Sequence, residues 1–222
     1  MGNSVKRWGF FFWIGGAMLC SGSRLVGAQP APNPDAARQL VELVRVEPRI
    51  RLEVRYATNN NFMKRRLYPQ ARVFVHRQVA EALSRVADRC QRHGKGLLVF
   101  DGYRPWRVTQ AMWEATPVEK RAFVADPAKG SRHNRGGAVD LTLVDLKTGR
   151  AVEMTSAYDE FSPRAAANFR GTPRAVAHRD LLRRAMEAEG FQVYPEEWWH
   201  FDFKGWQSWP LLDYSFDELD RL

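Results

Sequence analysis

Apolar residues recur along this chain with two periods, and the switches between them mark out the elements. From Arg77 to Arg92, Val79, Leu83, Val86 and Cys90 fall at helical spacing, and Gly94 is a natural stop. Ile50, Leu52, Val54 and Tyr56 alternate and predict a strand over Ile50–Tyr56. Leu40–Val46 reads as a short helix. Gly96–Phe100 is a compact apolar run that predicts a buried strand, delivering Asp101-Gly102-Tyr103-Arg104-Pro105 at its end. Ala138–Val144 alternates again. Arg174–Glu189 has helical spacing and ends at Gly190, and Phe191–Tyr194 and Trp199–Phe203 read as strands joined by Pro195-Glu196-Glu197. Thr116-Pro117-Val118-Glu119 has the form of a capping box with proline at the first helical position, predicting a helix to about Ala125. Thr58–Pro69, Lys129–Gly137 and residues 155–173 lack periodicity and read as loops. No regular βαβ rhythm emerges, so the fold class expected is α+β: one domain, with a mainly antiparallel sheet flanked by helices.

Composition changes this picture at the N-terminus. The chain has 222 residues, 45% of them hydrophobic, enough for one sizeable core. Residues 1–28 carry Lys6, Arg7 and Arg24 but no Asp or Glu. Trp8–Leu19 has the length of a signal h-region, and Val26-Gly27-Ala28 offers small residues for cleavage after Ala28. The expectation is therefore an export signal over 1–28, a catalytic domain over 29–222, and a periplasmic or cell-envelope location. Leu19 stands where lipoprotein processing takes a small residue, so membrane attachment would require a retained signal or a lipid on Cys20. The net charge of +9 is spread among acidic residues, with no Lys/Arg block or aromatic-basic repeat, and no nucleic-acid partner is expected. Cys90 has no partner outside the N-terminal run. It sits on the apolar stripe of its helix, where a small core residue is expected.

Two stretches carry the candidate chemistry: Ser131-Arg132-His133-Asn134-Arg135-Gly136-Gly137-Ala138-Val139-Asp140 and Glu197-Trp198-Trp199-His200. They supply two imidazoles, a carboxylate of ligand type and a second carboxylate three residues before the last imidazole. A catalytic zinc site needs three N/O ligands, an open fourth position and a non-ligating carboxylate to take a proton. The helical arrangement of two His at i and i+4 with Glu between them is absent, so such a site would be assembled from distant segments. His133 and Asp140 are seven apart, which on a straight strand would put them on opposite faces, but Gly136-Gly137 allow the chain to bend. Each residue alone also has an ordinary structural reading: a loop histidine, a capping aspartate, a packed core histidine.

Asp-Gly-Tyr-Arg-Pro, Ser-x-His-x-x-Gly-x-Ala-x-Asp and Glu-x-x-His occur in that order. In this the chain resembles the zinc D-alanyl-D-alanine dipeptidases of the VanX type, within the hedgehog/D,D-peptidase superfamily, from about Arg55 to about Phe203. The resemblance implies one zinc ion held by His133, Asp140 and His200, with Glu197 as general base and then acid. It implies Arg104 as the group that stabilises the oxyanion. It also implies a small dipeptide as substrate, Asp159 at the position that binds its ammonium, and Ser131 and Tyr56 lining the same pocket. Two other outcomes stay open at this level. One is a D,D-carboxypeptidase or wall endopeptidase of the same superfamily; the other is a zinc-binding module without catalysis, which would have no need of Glu197 and Arg104.

Overall fold

The computed structural model describes residues 28–222, and the expected export signal falls, apart from Ala28, outside them. In chain order the elements are α1 (Pro34–Ala37), β1 (Leu40–Glu42), α2 (Leu43–Val46), β2 (Arg51–Leu52), β3 (Phe74–His76), α3 (Arg77–Gln91), β4 (Lys95–Asp101), α4 (Trp106–Ala115), β5 (Ala138–Asp145), α5 (Pro173–Glu187), β6 (Phe191–Tyr194), β7 (Glu197–Phe203) and α6 (Phe216–Leu219). A five-stranded sheet has the order β2-β4-β5-β7-β6. Only the β2–β4 pair is parallel; the others are antiparallel, and β1 and β3 form a separate antiparallel ribbon. This is the α+β domain with a mainly antiparallel sheet that the pattern predicts.

The sheet is built around β5, seven of whose eight residues are buried. Val139, Leu141, Leu143 and Val144 join the apolar core together with Leu97 and Val99 of β4 and Phe201 of β7. Helix α3 packs on β4, and α5 packs on β5, β6 and β7. The apolar stripe of α3, Val79, Leu83, Val86 and Cys90, is completely buried. Cys90 is thus the core residue the spacing predicts, and burial raises its thiol to about 11.

Several local expectations are corrected. Leu40–Val46 is half strand and half helical turn, because Leu40–Glu42 pairs with Phe74–His76 before the chain can coil. Of Ile50–Tyr56, only Arg51–Leu52 belongs to the sheet; Arg55–Ala57 form a 3-10 turn that carries Tyr56 inward. The capping box is not formed. Thr116 Oγ1 donates to Met112 O at 2.7 Å and so closes the preceding helix, and Val118–Phe123 is a 3-10 segment capped by Pro117 without a side-chain bond. The preceding helix, α4, is an element the pattern reading left out. Its signal was available in Trp106, Thr109 and Met112, spaced three apart and all buried. Strand β7 begins at Glu197 rather than Trp199.

One rung of the sheet fixes the chemistry. Asp140 of β5 lies opposite Asp101 on one side and His200 on the other. The end of β4 then passes close beneath β3. A Cβ on Gly102 would meet Phe74 O at 2.6 Å and Val73 Cγ1 at 2.7 Å, so only glycine lets these backbones approach.

Candidate active site

The turn before β5 brings His133 to Asp140. Residues His133–Arg135 form a 3-10 turn, and Gly136 leaves it in the left-handed region at φ 66°. A side chain at Gly136 would strike Leu40 Cδ2 at 2.4 Å and His76 N at 2.9 Å. The bend therefore undoes the odd spacing of the two residues, as the glycines allowed. Glu197 and His200 are three apart on one strand, which in a regular strand would also put them on opposite faces. The register shifts at Tyr194, at the start of the β6–β7 hairpin. There Glu197 turns back until Oε2 lies 3.8 Å from His200 Nδ1.

Three donor atoms converge. His133 Nε2 lies 3.2 Å from His200 Nδ1 and 3.4 Å from Asp140 Oδ1, and His200 Nδ1 lies 3.0 Å from the same Oδ1. Ligands at about 2.0–2.1 Å around a tetrahedral ion stand about 3.3 Å apart, so this triangle has the size one such ion requires. The far nitrogens are held as metal-ligating imidazoles usually are. His133 Nδ1 donates to Gly102 O at 2.7 Å, and His200 Nε2 to Asp202 Oδ1 at 3.0 Å. Both inward nitrogens then present lone pairs, which without a positive charge between them would repel. The electrostatics agree. Burial alone would raise the Asp140 carboxyl, but His133 and His200 hold it well below the usual carboxylate range. Burial alone would lower His200, but Asp140 and Asp202 raise it to about 10. The cluster is built to hold positive charge. Among the described residues, His133, Asp140 and His200 are the one such group whose donor atoms come together to fit a metal.

Around the triad lies a cavity of about 310 Å³, near the lower end of small-molecule clefts. Every residue expected at the site lines it: Tyr56, Arg104, Ser131, His133, Asp140, Asp159, Glu197 and His200. Burial, only partly offset by His200, raises the Glu197 carboxyl. Arg104 is buried. Its Nε and Nη2 donate to Asp101 Oδ2 at 3.1 and 2.8 Å, its guanidinium lies 5.1 Å from the Tyr56 ring centre, and among the described residues Nη1 has only Met112 Sδ, at 3.4 Å. Ser131 is buried, and its Oγ accepts the His133 N–H at 3.2 Å, bracing the turn.

Asp159 is the most unusual of these residues. It is a non-glycine residue at φ 60°, and its Oδ1 accepts from Tyr56 OH at 3.2 Å. Its Oδ2 is buried without a partner among the described residues. Burial and the nearby Asp140 charge push the carboxyl up to about 8. A half-satisfied buried carboxylate costs stability, and such groups collect where a ligand completes them.

Four supporting residues were not singled out from the sequence. Asp101 anchors Arg104 and accepts from Tyr68 OH at 2.8 Å. Asp202 holds His200, and Tyr158 OH donates to Asp140 Oδ2 at 3.1 Å. Asn134, fully buried, donates to Arg104 O and Thr109 Oγ1 at 2.8 and 2.9 Å and so ties the turn to α4. Asp202 was within reach of pattern reasoning, since residues two apart on a strand share a face.

Comparison with known proteins agrees with this geometry. The Peptidase_M15 model, described as D-ala-D-ala dipeptidase, matches residues 36–216. The chain is 35% identical to the D-alanyl-D-alanine dipeptidase of Escherichia coli strain K12, over 78% of this chain and 89% of that one. It is 36% identical to the D-alanyl-D-alanine dipeptidase of Streptomyces coelicolor, with 70% and 86% covered, and 34% identical to that of Enterococcus faecalis, with 68% and 85% covered. A family match across most of the described chain, with relatives above 30% identity along most of their length, leads to one conclusion: this chain belongs to the Peptidase_M15 family of D-ala-D-ala dipeptidases.

Proposed function

We propose that this metallopeptidase hydrolyses D-alanyl-D-alanine to two molecules of D-alanine, with one zinc ion held by His133, Asp140 and His200. The observation that carries the reading is the unpartnered Oδ2 of Asp159, buried in the wall of the cavity that holds the donor triad. A free ammonium is the group that satisfies it, and a small cavity suits a substrate with both ends close to the scissile bond. Two N ligands and one O ligand in a tetrahedral triangle favour zinc. Zinc, when bound, polarises the carbonyl and makes water a nucleophile near neutral pH. Glu197 takes one proton from the attacking water as its oxygen bonds to the carbonyl carbon. Arg104 Nη1, with only a thioether beside it, is the donor left for the developing oxyanion. The C–N bond then breaks, and Glu197 passes its proton to the leaving amine. Asp159 and Tyr56 hold the ammonium end throughout, and Ser131 keeps the His133 turn in place.

Export to the periplasm or envelope belongs to the same proposal and is supported by the sequence of residues 1–28. Outside the cytoplasm the enzyme would trim dipeptides released from the wall.

The test is D-alanine release from D-Ala-D-Ala, with zinc and after chelation, beside L-Ala-L-Ala and a pentapeptide ending in D-Ala-D-Ala. Zinc-dependent cleavage of the D,D-dipeptide is expected, and Glu197→Gln should lower kcat about 10²–10⁴-fold while metal content is retained. Preference for the pentapeptide would move the chain to carboxypeptidase chemistry. Zinc binding with no cleavage of any substrate would leave a binding module.

A further inference from the structure

A zwitterionic dipeptide has a second charged end, and the cavity holds two arginines that could meet it, Arg104 and Arg132. Arg104 is buried and commits two of its nitrogens to Asp101. Arg132 differs. Its side chain is 38% exposed, and its one charged partner is Asp202, with Nε 3.0 Å from Oδ2. Among the described residues its guanidinium makes no hydrogen bond: the contact with Asp202 is an ion pair without hydrogen-bond geometry, and the buried Nε–H has no acceptor. Its centre lies 5.2 Å from the Tyr194 ring and 5.3 Å from the Trp206 ring, both within cation–π reach. A guanidinium with two rings within cation–π reach and one carboxylate beside its Nε keeps its Nη groups for a second, bidentate carboxylate.

Its position supports this. Asp159 and its neighbour Tyr158 gather beside Asp140: Tyr158 OH donates to Asp140 Oδ2, and the Asp140 charge is felt at Asp159. Arg132 lies against Asp202, which holds the outer nitrogen of His200. A dipeptide whose ammonium rests on Asp159 needs a cation for its carboxylate in the same cavity, and of the two arginines there Arg132 is the one with no hydrogen-bonded carboxylate. Resting on the proposed dipeptidase reading, we infer that Arg132 is the recognition residue for the substrate's terminal carboxylate, held ready by Tyr194, Trp206 and Asp202.

The experiment compares D-Ala-D-Ala with its C-terminal amide in the zinc-loaded full chain, in the parent and in Arg132→Gln and Arg132→Lys. Arg132→Gln should lower kcat/KM for the free acid about 30- to 100-fold, mainly through KM. It should change the amide less than about threefold, with Arg132→Lys between. Zinc affinity, read by chelator competition, should stay within about threefold of the parent, since Asp202 keeps its bond to His200. Equal losses on acid and amide, with weaker zinc binding, would overturn the inference in favour of a purely structural arginine; no loss on either would overturn it outright. A parent that fails to cleave D-Ala-D-Ala removes the proposed function instead. In that event, calorimetric binding of acid and amide to Glu197→Gln, with and without Arg132→Gln, decides the role of Arg132. Acid-selective weakening supports it, and its absence rejects it.

Discussion

At the scale of single residues, the site rests on groups placed where they are uncomfortable. Asp159 is pushed up to about 8, against about 3.9 for an aspartate in an unfolded chain. Folding therefore favours its protonated form. That contribution is fully present below about pH 4 and is lost as the pH rises towards 8. Asparagine tolerates the left-handed φ and has no charge to bury. Melting curves of Asp159→Asn in chelator should therefore lie above those of the parent, by a margin that widens from about pH 4 to pH 8 and then levels. Activity should move the other way, with kcat/KM for D-Ala-D-Ala falling about 10- to 100-fold. A margin that did not vary with pH would mean that Asp159 is not held protonated by its surroundings.

At the scale of elements, the sequence was informative where periodicity and packing agree. Helix α3 has a stripe that is apolar and wholly buried, and its observed bounds of Arg77–Gln91 differ from the expected ones by a single residue. Strand β5 is likewise extended by only one residue. Legibility failed where a distant partner decides the outcome. Leu40–Glu42 is a strand only because Phe74–His76 lies beside it, and Thr116 ends one helix instead of starting another because Met112 O is in reach. The donor triad could be located by motif, and Asp202 by its place two residues after His200 on one strand, but Gly102 O as the partner of His133 could not. Gly102 O holds its imidazole through a contact that depends on how β3 and β4 meet. Gly136 is where element geometry and ligand geometry are most tightly joined. Gly136→Ala should destabilise the chain by about 1–3 kcal/mol and tilt the His133 turn. Lower melting temperature together with weaker zinc binding is expected; loss of stability with zinc affinity intact would show that the turn can shift without moving its histidine.

At the scale of the whole molecule, the metal cluster joins the 133–135 turn to the two central strands β5 and β7. An ion that binds only the folded arrangement adds to stability by mass action, about 4 kcal/mol at a thousand times its dissociation constant. Protons compete for the same place, because Asp140 and Asp202 raise His200 to about 10. The melting temperature should accordingly rise on adding zinc, more at pH 8 than at pH 6, and the gain should vanish with chelation. An equal rise at both pH values would indicate that binding does not displace a proton from the cluster.

The rung formed by Asp101, Asp140 and His200 has one more consequence. Side chains on a strand change face with every step, so sliding β5 or β7 by one residue would turn a ligand out of the cavity and break the donor triangle. Only the correctly paired sheet can capture the ion. Occupancy of the site is thus a certificate of register: a chain that has annealed its strands wrongly reveals itself by failing to take up metal.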